Sequence, residues 1–427
     1  MPRRTIVLLS AAVLLIVLSS AVSIAYVLRR PAAGALVEKS ALPAPEIVEE
    51  EPTREATSER ATPVRTTTEH CWRTYGRTPQ RPSSITGVEL GRPGKVLWKK
   101  GMGSLMELPP SICDGVIYAN TARGITIAVE SDTGKTIWAR RTGTIFDSTP
   151  AIGKDLIVIG GVDGQIQALY RSTGKRRWKL QVGRSETSPV IDGDIVYAAS
   201  HDGRVYAIEL QTGTVRWAYA SAGRINGSPV LWKDRVYVAN YAGEVLALRE
   251  RNGSVVWRRT FVLDPFRTER FYSSTPIVGT TLYVSGVGGF VYALDARNGR
   301  DRWRQRVSGY AYATPAIAKG RVFVGTYGRR FYALDSKTGR ERWSRTLDGA
   351  MSGSSLVVDD IVFVSTMRHN RTVGLDTRTG REVWSNEEGR YVPGFATNVR
   401  YYFSLRNTLL AVQGTKKPGA RTFPATS

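Results

Sequence analysis

From about residue 95 to residue 413 the chain is a succession of short apolar runs separated by Gly, Asp, Asn and Thr. Runs such as Asp194 to Ala199 and Val205 to Ile208 carry Val, Ile and Tyr in strand-like patterns, bounded by turn residues. Five units begin with Ser or Thr followed by Pro and an apolar stretch, and seven end with Thr-Gly or Asn-Gly and a run containing Trp. Antiparallel strands joined by tight turns need no crossover, so each unit predicts a four-stranded meander.

The units keep register. Trp98, Trp138, Trp178, Trp217, Trp257, Trp303, Trp343 and Trp384 recur at intervals of 40, 40, 39, 40, 46, 40 and 41 residues. A Gly precedes each by four positions, from Gly94 to Gly380, and supplies the positive φ of a tight turn. Ten positions before each of the last seven stands Ala or Gly, from Ala128 to Gly374. Four strands per 40-residue repeat predict a β-propeller blade. At the C-terminal end Tyr401–Leu405 and Leu409–Val412 lack a following Trp, whereas Gly94–Trp98 is a Trp strand with nothing before it. Joined, the fragments make one blade, which predicts an all-β, eight-bladed propeller over residues 95–413, closed by the Trp98 strand so that no edge strand is left open.

The pattern A-L-D-x-x-T-G-x-x-x-W, seen from Ala333 to Trp343 and with Asn-Gly from Ala293 to Trp303, resembles the tryptophan-docking repeat of quinoprotein-dehydrogenase-like (PQQ-like) propellers. The resemblance implies that the eight Trp pack between blades as architecture. Cys71-Trp72-Arg73-Thr74-Tyr75-Gly76 resembles the lead-in of exported members. Enzymes of that family hold pyrroloquinoline quinone and calcium in the central channel beneath a disulfide of adjacent cysteines. This chain has no adjacent Cys pair and none of the long insertions that build a substrate cap. Glu107, Asp147 and Glu186 are the few acidic residues near the inner strands, without a calcium-like spacing. The compact blades are similar to the non-enzymatic scaffold subunit of the outer-membrane protein assembly machinery, although no lipoprotein Cys follows the apolar segment here.

Outside the repeats, residues 6–28 run without a charge, long enough for a transmembrane helix, so residues 1–30 are expected to be a single-pass anchor. Residues 31–69 are rich in Pro, Glu and Thr and are expected to be a disordered tether, followed by a lead-in over 70–94; residues 414–427 are expected to be a disordered tail. The formal charge of +23 resides in residues 70–427, since residues 1–30 (+4) and 31–69 (−4) cancel. Such a field draws polyanions, or reflects a surface in which Arg is the common solvating residue. Cys71 and Cys113 are the only cysteines, and an even pair in an exported domain predicts a disulfide. His70, His201 and His369 have no ligand-like spacing, so neither a metal nor a cofactor is expected.

One irregularity remains. From Trp257 to Pro276 the chain takes 19 residues where Trp138 to Pro150 takes 12. Phe266, Arg267, Arg270, Phe271 and Tyr272 in this added loop have the composition of an interface and are the expected contact residues; a self-packed loop is the alternative. The expected function is a monomeric, membrane-tethered propeller on the extracytoplasmic side. It would bind an envelope protein or an anionic envelope polymer, with no specific nucleic-acid role. The alternative is a PQQ-dependent oxidoreductase.

Overall fold

The computed structural model describes residues 34–47, 70–143, 148–368, 370–389 and 391–416. Eight four-stranded antiparallel sheets surround one axis. Blade 1 comprises Ser111–Cys113, Val116–Asn120, Ile125–Glu130 and Thr136–Arg141, ordered from the axis to the rim, and we call these positions a to d in every blade. The d strands of blades 2 to 7 are Arg176–Gln181, Val215–Ala220, Val255–Thr260, Asp301–Arg306, Glu341–Thr346 and Glu382–Asn386. Blade 8 takes strands a to c from Gly394–Ala396, Arg400–Leu405 and Thr408–Gly414, and its d strand is Pro93–Gly101. Closure therefore occurs by the expected N-terminal strand, with Trp98 opposite Ala411.

The repeated small residue stands directly across from the Trp: Ala128 faces Trp138, Ala333 faces Trp343 and Gly374 faces Trp384. A larger side chain there would push the indole off the sheet, and a bulge follows immediately in each of these blades. Seven of the eight indoles donate to a carbonyl of the next blade, from Trp98 Nε1 to Ser131 O (2.9 Å) through Trp343 Nε1 to Thr377 O (3.0 Å). Trp384 instead stacks on Phe403 at 4.7 Å. Nearer the axis, the Ser and Thr of the S/T-P segments link successive blades. Thr149 N donates to Ser188 Oγ, Ser188 N to Ser228 Oγ, Ser228 N to Ser274 Oγ and Ser274 N to Thr314 Oγ1, at 2.9 to 3.0 Å.

Two expectations are corrected. Residues 34–47, placed in a disordered tether, form a strap on the rim. Ala35–Leu36 pairs with the d strand of blade 3 and Pro45–Ile47 with that of blade 2. The reason lies in the edges. Two residues after the Trp, blades 2 and 3 carry Leu180 and Tyr219, whereas the other blades carry Lys100, Arg140, Arg259, Gln305, Arg345 and Asn386. Charged or amide side chains at this position offer an added strand no apolar contact, whereas Leu180 and Tyr219 do. The C-terminal boundary also moves: Thr415 N and Lys416 N still donate to Arg92 O and Leu90 O. Among the described residues no helix is long and apolar enough to cross a membrane; residues 6–28, like most of the tether and tail, lie outside them.

Candidate recognition face

The two faces of the disc differ. On the side of the a–b turns, the lead-in winds across the channel and satisfies the free inner edges of the a strands. Trp72 O accepts from Ile112 N, Arg73 O from Ile152 N, Pro79 O from Leu231 N and Gln80 O from Ile277 N. Pro82 O, Ser83 O and Ile85 O then accept from Ile317, Val357 and Asp359, all at 2.7 to 3.0 Å. Ser84–Ile85 adds a parallel strand to blade 7. At the centre lies Arg81, fully buried, with Nε on Pro229 O (2.7 Å), Nη1 on Tyr75 O (2.8 Å) and Nη2 on Ser188 O (2.9 Å). Carbonyls alone neutralise it poorly, and burial lowers its pKa to about 9. The Cys71–Cys113 disulfide staples this segment to blade 1. This closed face was not legible beyond the Cys-Trp motif.

On the opposite side, the b–c turns and the d–a connections leave the channel mouth open. Tyr272 packs against Tyr241 (6.2 Å) and Tyr312 (5.3 Å), and Tyr312 against Tyr327 (4.7 Å), forming an aromatic crescent. Tyr310 and Tyr327 are 56% and 41% exposed. Beside the crescent, Glu186 accepts from Tyr272 Oη (3.2 Å), Asn226 Nδ2 (3.1 Å) and Arg184 Nη2 (3.3 Å). His201 Nε2 lies 3.7 Å from the same carboxylate. Burial lowers the imidazole's pKa, Glu186 opposes this, and Arg224 and Arg184 reinforce it, so His201 is neutral at neutral pH. Arg224 also sits over the Tyr241 ring at 5.5 Å. Asp147 and His369 lie outside the described residues.

The added loop belongs to this face and divides into two parts. Its base is core. Phe261 and Phe271 pack edge-on at 5.4 Å, and both meet Tyr292. Buried Glu269 accepts from Gly288 N (2.6 Å), Arg270 N (3.0 Å) and Tyr292 Oη (2.9 Å), tying the loop to blade 5. Phe271, fully buried, is therefore not a contact residue: it fills the gap between blades 4 and 5. Tyr272 is half-buried in the crescent. The tip is a hairpin of Val262–Asp264 and Arg267–Thr268, carrying Phe266 at 94% exposure. Arg267 Nε donates to Asp264 Oδ2 at 2.6 Å, which fixes the turn. A cleft of about 640 Å³ opens between the hairpin and the crescent, lined by Phe266, Arg267, Arg270, Arg306, Tyr310 and Tyr312.

Fold and face together define a PQQ-like propeller with one closed and one open mouth. The chain belongs to the family described as the outer membrane protein assembly factor BamB, whose model matches residues 83–263 and 242–391. No curated protein sequence matches it. Among solved structures it is similar to BamB from Moraxella catarrhalis, at 17% identity and a TM-score of 0.66, over 75% of this chain and 99% of that one. It is also similar to quinohemoprotein alcohol dehydrogenase from Comamonas testosteroni (14%, TM-score 0.69, 84% and 82%). A europium-containing methanol dehydrogenase gives 15%, a TM-score of 0.65, and coverages of 78% and 87%. At these identities the structural likeness defines the fold.

Proposed function

We propose that this chain is a membrane-tethered scaffold of the cell envelope that binds a protein partner at its open mouth. The observation that carries the reading is the asymmetry of the disc. The lead-in and Arg81 fill one mouth, while the other presents exposed Tyr310 and Tyr327 beside Arg224 and Arg306. Tyr and Arg dominate interface hot spots because both offer large contact area together with directional donors. Membership in a family described as an assembly factor supports the same reading.

The residues present do not fit a calcium–quinone pair. Calcium takes six to eight oxygen ligands. Among the described residues, the one cluster of three metal-ligating types is Cys71, Cys113 and Asp114, where both cysteines are spent in the disulfide. At the open mouth Glu186 already serves Tyr272, Asn226 and Arg184, and Asp202 serves Ser200 and Arg204.

A photo-crosslinking residue at Tyr327 is expected to give one discrete protein adduct in intact envelopes. The same residue at Lys337, on the closed face, should give none. Dye-linked dehydrogenase activity on addition of pyrroloquinoline quinone and calcium would replace this reading with the oxidoreductase.

A further inference from the structure

The end of the strap and the strand that leads into the hairpin come together at one sector of the rim. Gly34 N donates to Ala220 O, the last residue of the blade 3 d strand, and Ser221 N donates in turn to Gly203 O in a b–c turn. Gly34 is thus level with the open face. A Cβ on Gly34 would lie 2.7 Å from Arg258 Nη1, a side chain of the blade 4 d strand. Three residues after Arg258, Phe261 begins the loop that carries the exposed hairpin. The point where the chain leaves the rim toward its N-terminus therefore lies beside the strand that leads into the hairpin, whose Phe266 is the most exposed aromatic among the described residues.

We propose that this sector faces an anionic bilayer, with Phe266 in the lipid interface and Arg267 and Arg270 at the headgroup phosphates. The inference rests on reading residues 6–28 as the membrane anchor. Only residues 29–33 separate that stretch from Gly34. They span at most about 20 Å fully extended, so the docked strap cannot let the propeller drift from the membrane. A hairpin tip presenting Phe between Arg267 and the strand residue Val262, itself 64% exposed, has the amphipathic composition of interfacial segments. The charge of +23 favours an anionic surface, where Arg270 contributes roughly a fivefold gain in occupancy and Arg267, paired with Asp264, contributes less.

The test uses the full chain in vesicles of phosphatidylethanolamine and phosphatidylglycerol, with a fluorophore on Pro265→Cys and lipids carrying a headgroup-proximal quencher. The comparison label is Arg340→Cys, in a c–d turn of the closed face. Quenching at 265 is expected to exceed that at 340 by at least about threefold, to weaken in phosphatidylcholine alone, and to fall by about half when Phe266→Ser is added. Equal quenching at both positions in protein that alkaline carbonate leaves in the vesicles overturns the lipid-facing hairpin and spares the anchor. Release by carbonate overturns the anchor reading and the orientation with it. A label at 265 shielded only after envelope proteins are added assigns the hairpin to a protein and also overturns the proposal.

Discussion

A Cβ built on Gly339 would lie 2.6 Å from Cε3 of Trp303, in the preceding blade. The glycine ahead of each Trp thus does two things: it takes the turn's positive φ, +74° here, and it lies flat against the neighbouring indole. Gly134, Gly174, Gly213, Gly253, Gly299 and Gly380 repeat the contact with Trp98 to Trp343 in order. Gly94, which follows the lead-in instead of a c strand, meets Thr415 and has no positive φ.

The two contributions can be separated. Gly339→Ala combines backbone strain with displacement of a packed ring, and is expected to cost about 2–4 kcal/mol. Gly279 has φ +61° with nothing within 4 Å of a built Cβ, so Gly279→Ala should carry the strain alone, about 1–2 kcal/mol. Urea midpoints at constant slope compare them; equal losses would mean that the indole contact is slack.

Arg81 holds the closed mouth by donating to the carbonyls of Pro229, Tyr75 and Ser188. Arg81→Met keeps the volume and strands these acceptors, so a loss of roughly 3–5 kcal/mol is expected. Protease cleavage within 70–90 should accelerate in the variant. An unchanged melting curve would show that the lead-in is dispensable to the fold.

The disulfide closes a separation of 42 residues. Its removal in a Cys71→Ser, Cys113→Ser double variant should cost about 2–4 kcal/mol. In unreduced, denatured wild-type protein, thiol reagents should label no cysteine.

Glu250 should impose a pH dependence. Burial first, then Asp192 and Asp234, raise its pKa to about 7. The folded state therefore binds a proton that the unfolded state releases between about pH 4.5 and 7, so stability falls as pH rises through that window. The group is only partly buried, so solvent screening limits the effect to a melting shift of about 1–3 °C. Glu250→Gln should flatten that slope; an unchanged slope would assign it to another group.

Closure predicts an asymmetry of truncation. Deleting 92–100 removes the d strand of blade 8, opposite Thr408–Gly414, and should unfold the whole disc. Removing residues after Lys416 should leave the melting temperature within about 1 °C. An intact disc after the first deletion would mean that closure is not required.

Architecture was legible because a propeller repeats its constraints: eight Trp, the Ala or Gly opposite each, and seven of the preceding Gly write the same contacts from blade to blade. The loop 261–272 was legible as an insertion but not in its parts. Phe266 and Phe271 are the same residue type five positions apart, and only the bridge of Phe271 to Gly286 and the pairing of Val262 with Thr268 decide which is displayed. The strap escaped because a segment rich in Pro and Glu has no period of its own; its signal was Leu180 and Tyr219, on another part of the chain. The lead-in pairs through its carbonyls, which carry no side-chain signature.

The order of synthesis gives the lead-in a last consequence. Its carbonyls leave the ribosome before any of the strands they pair with, whose donors run from Ile112 to Asp359, and Trp98 waits for Ala411. The lead-in is therefore engaged progressively, and Pro93–Gly101 must stay unpaired until nearly the whole polypeptide has been made. Ring closure and the sealing of the mouth then become late events, completed only after the final strand arrives, whereas the Cys71–Cys113 pair, 42 residues apart, needs only blade 1.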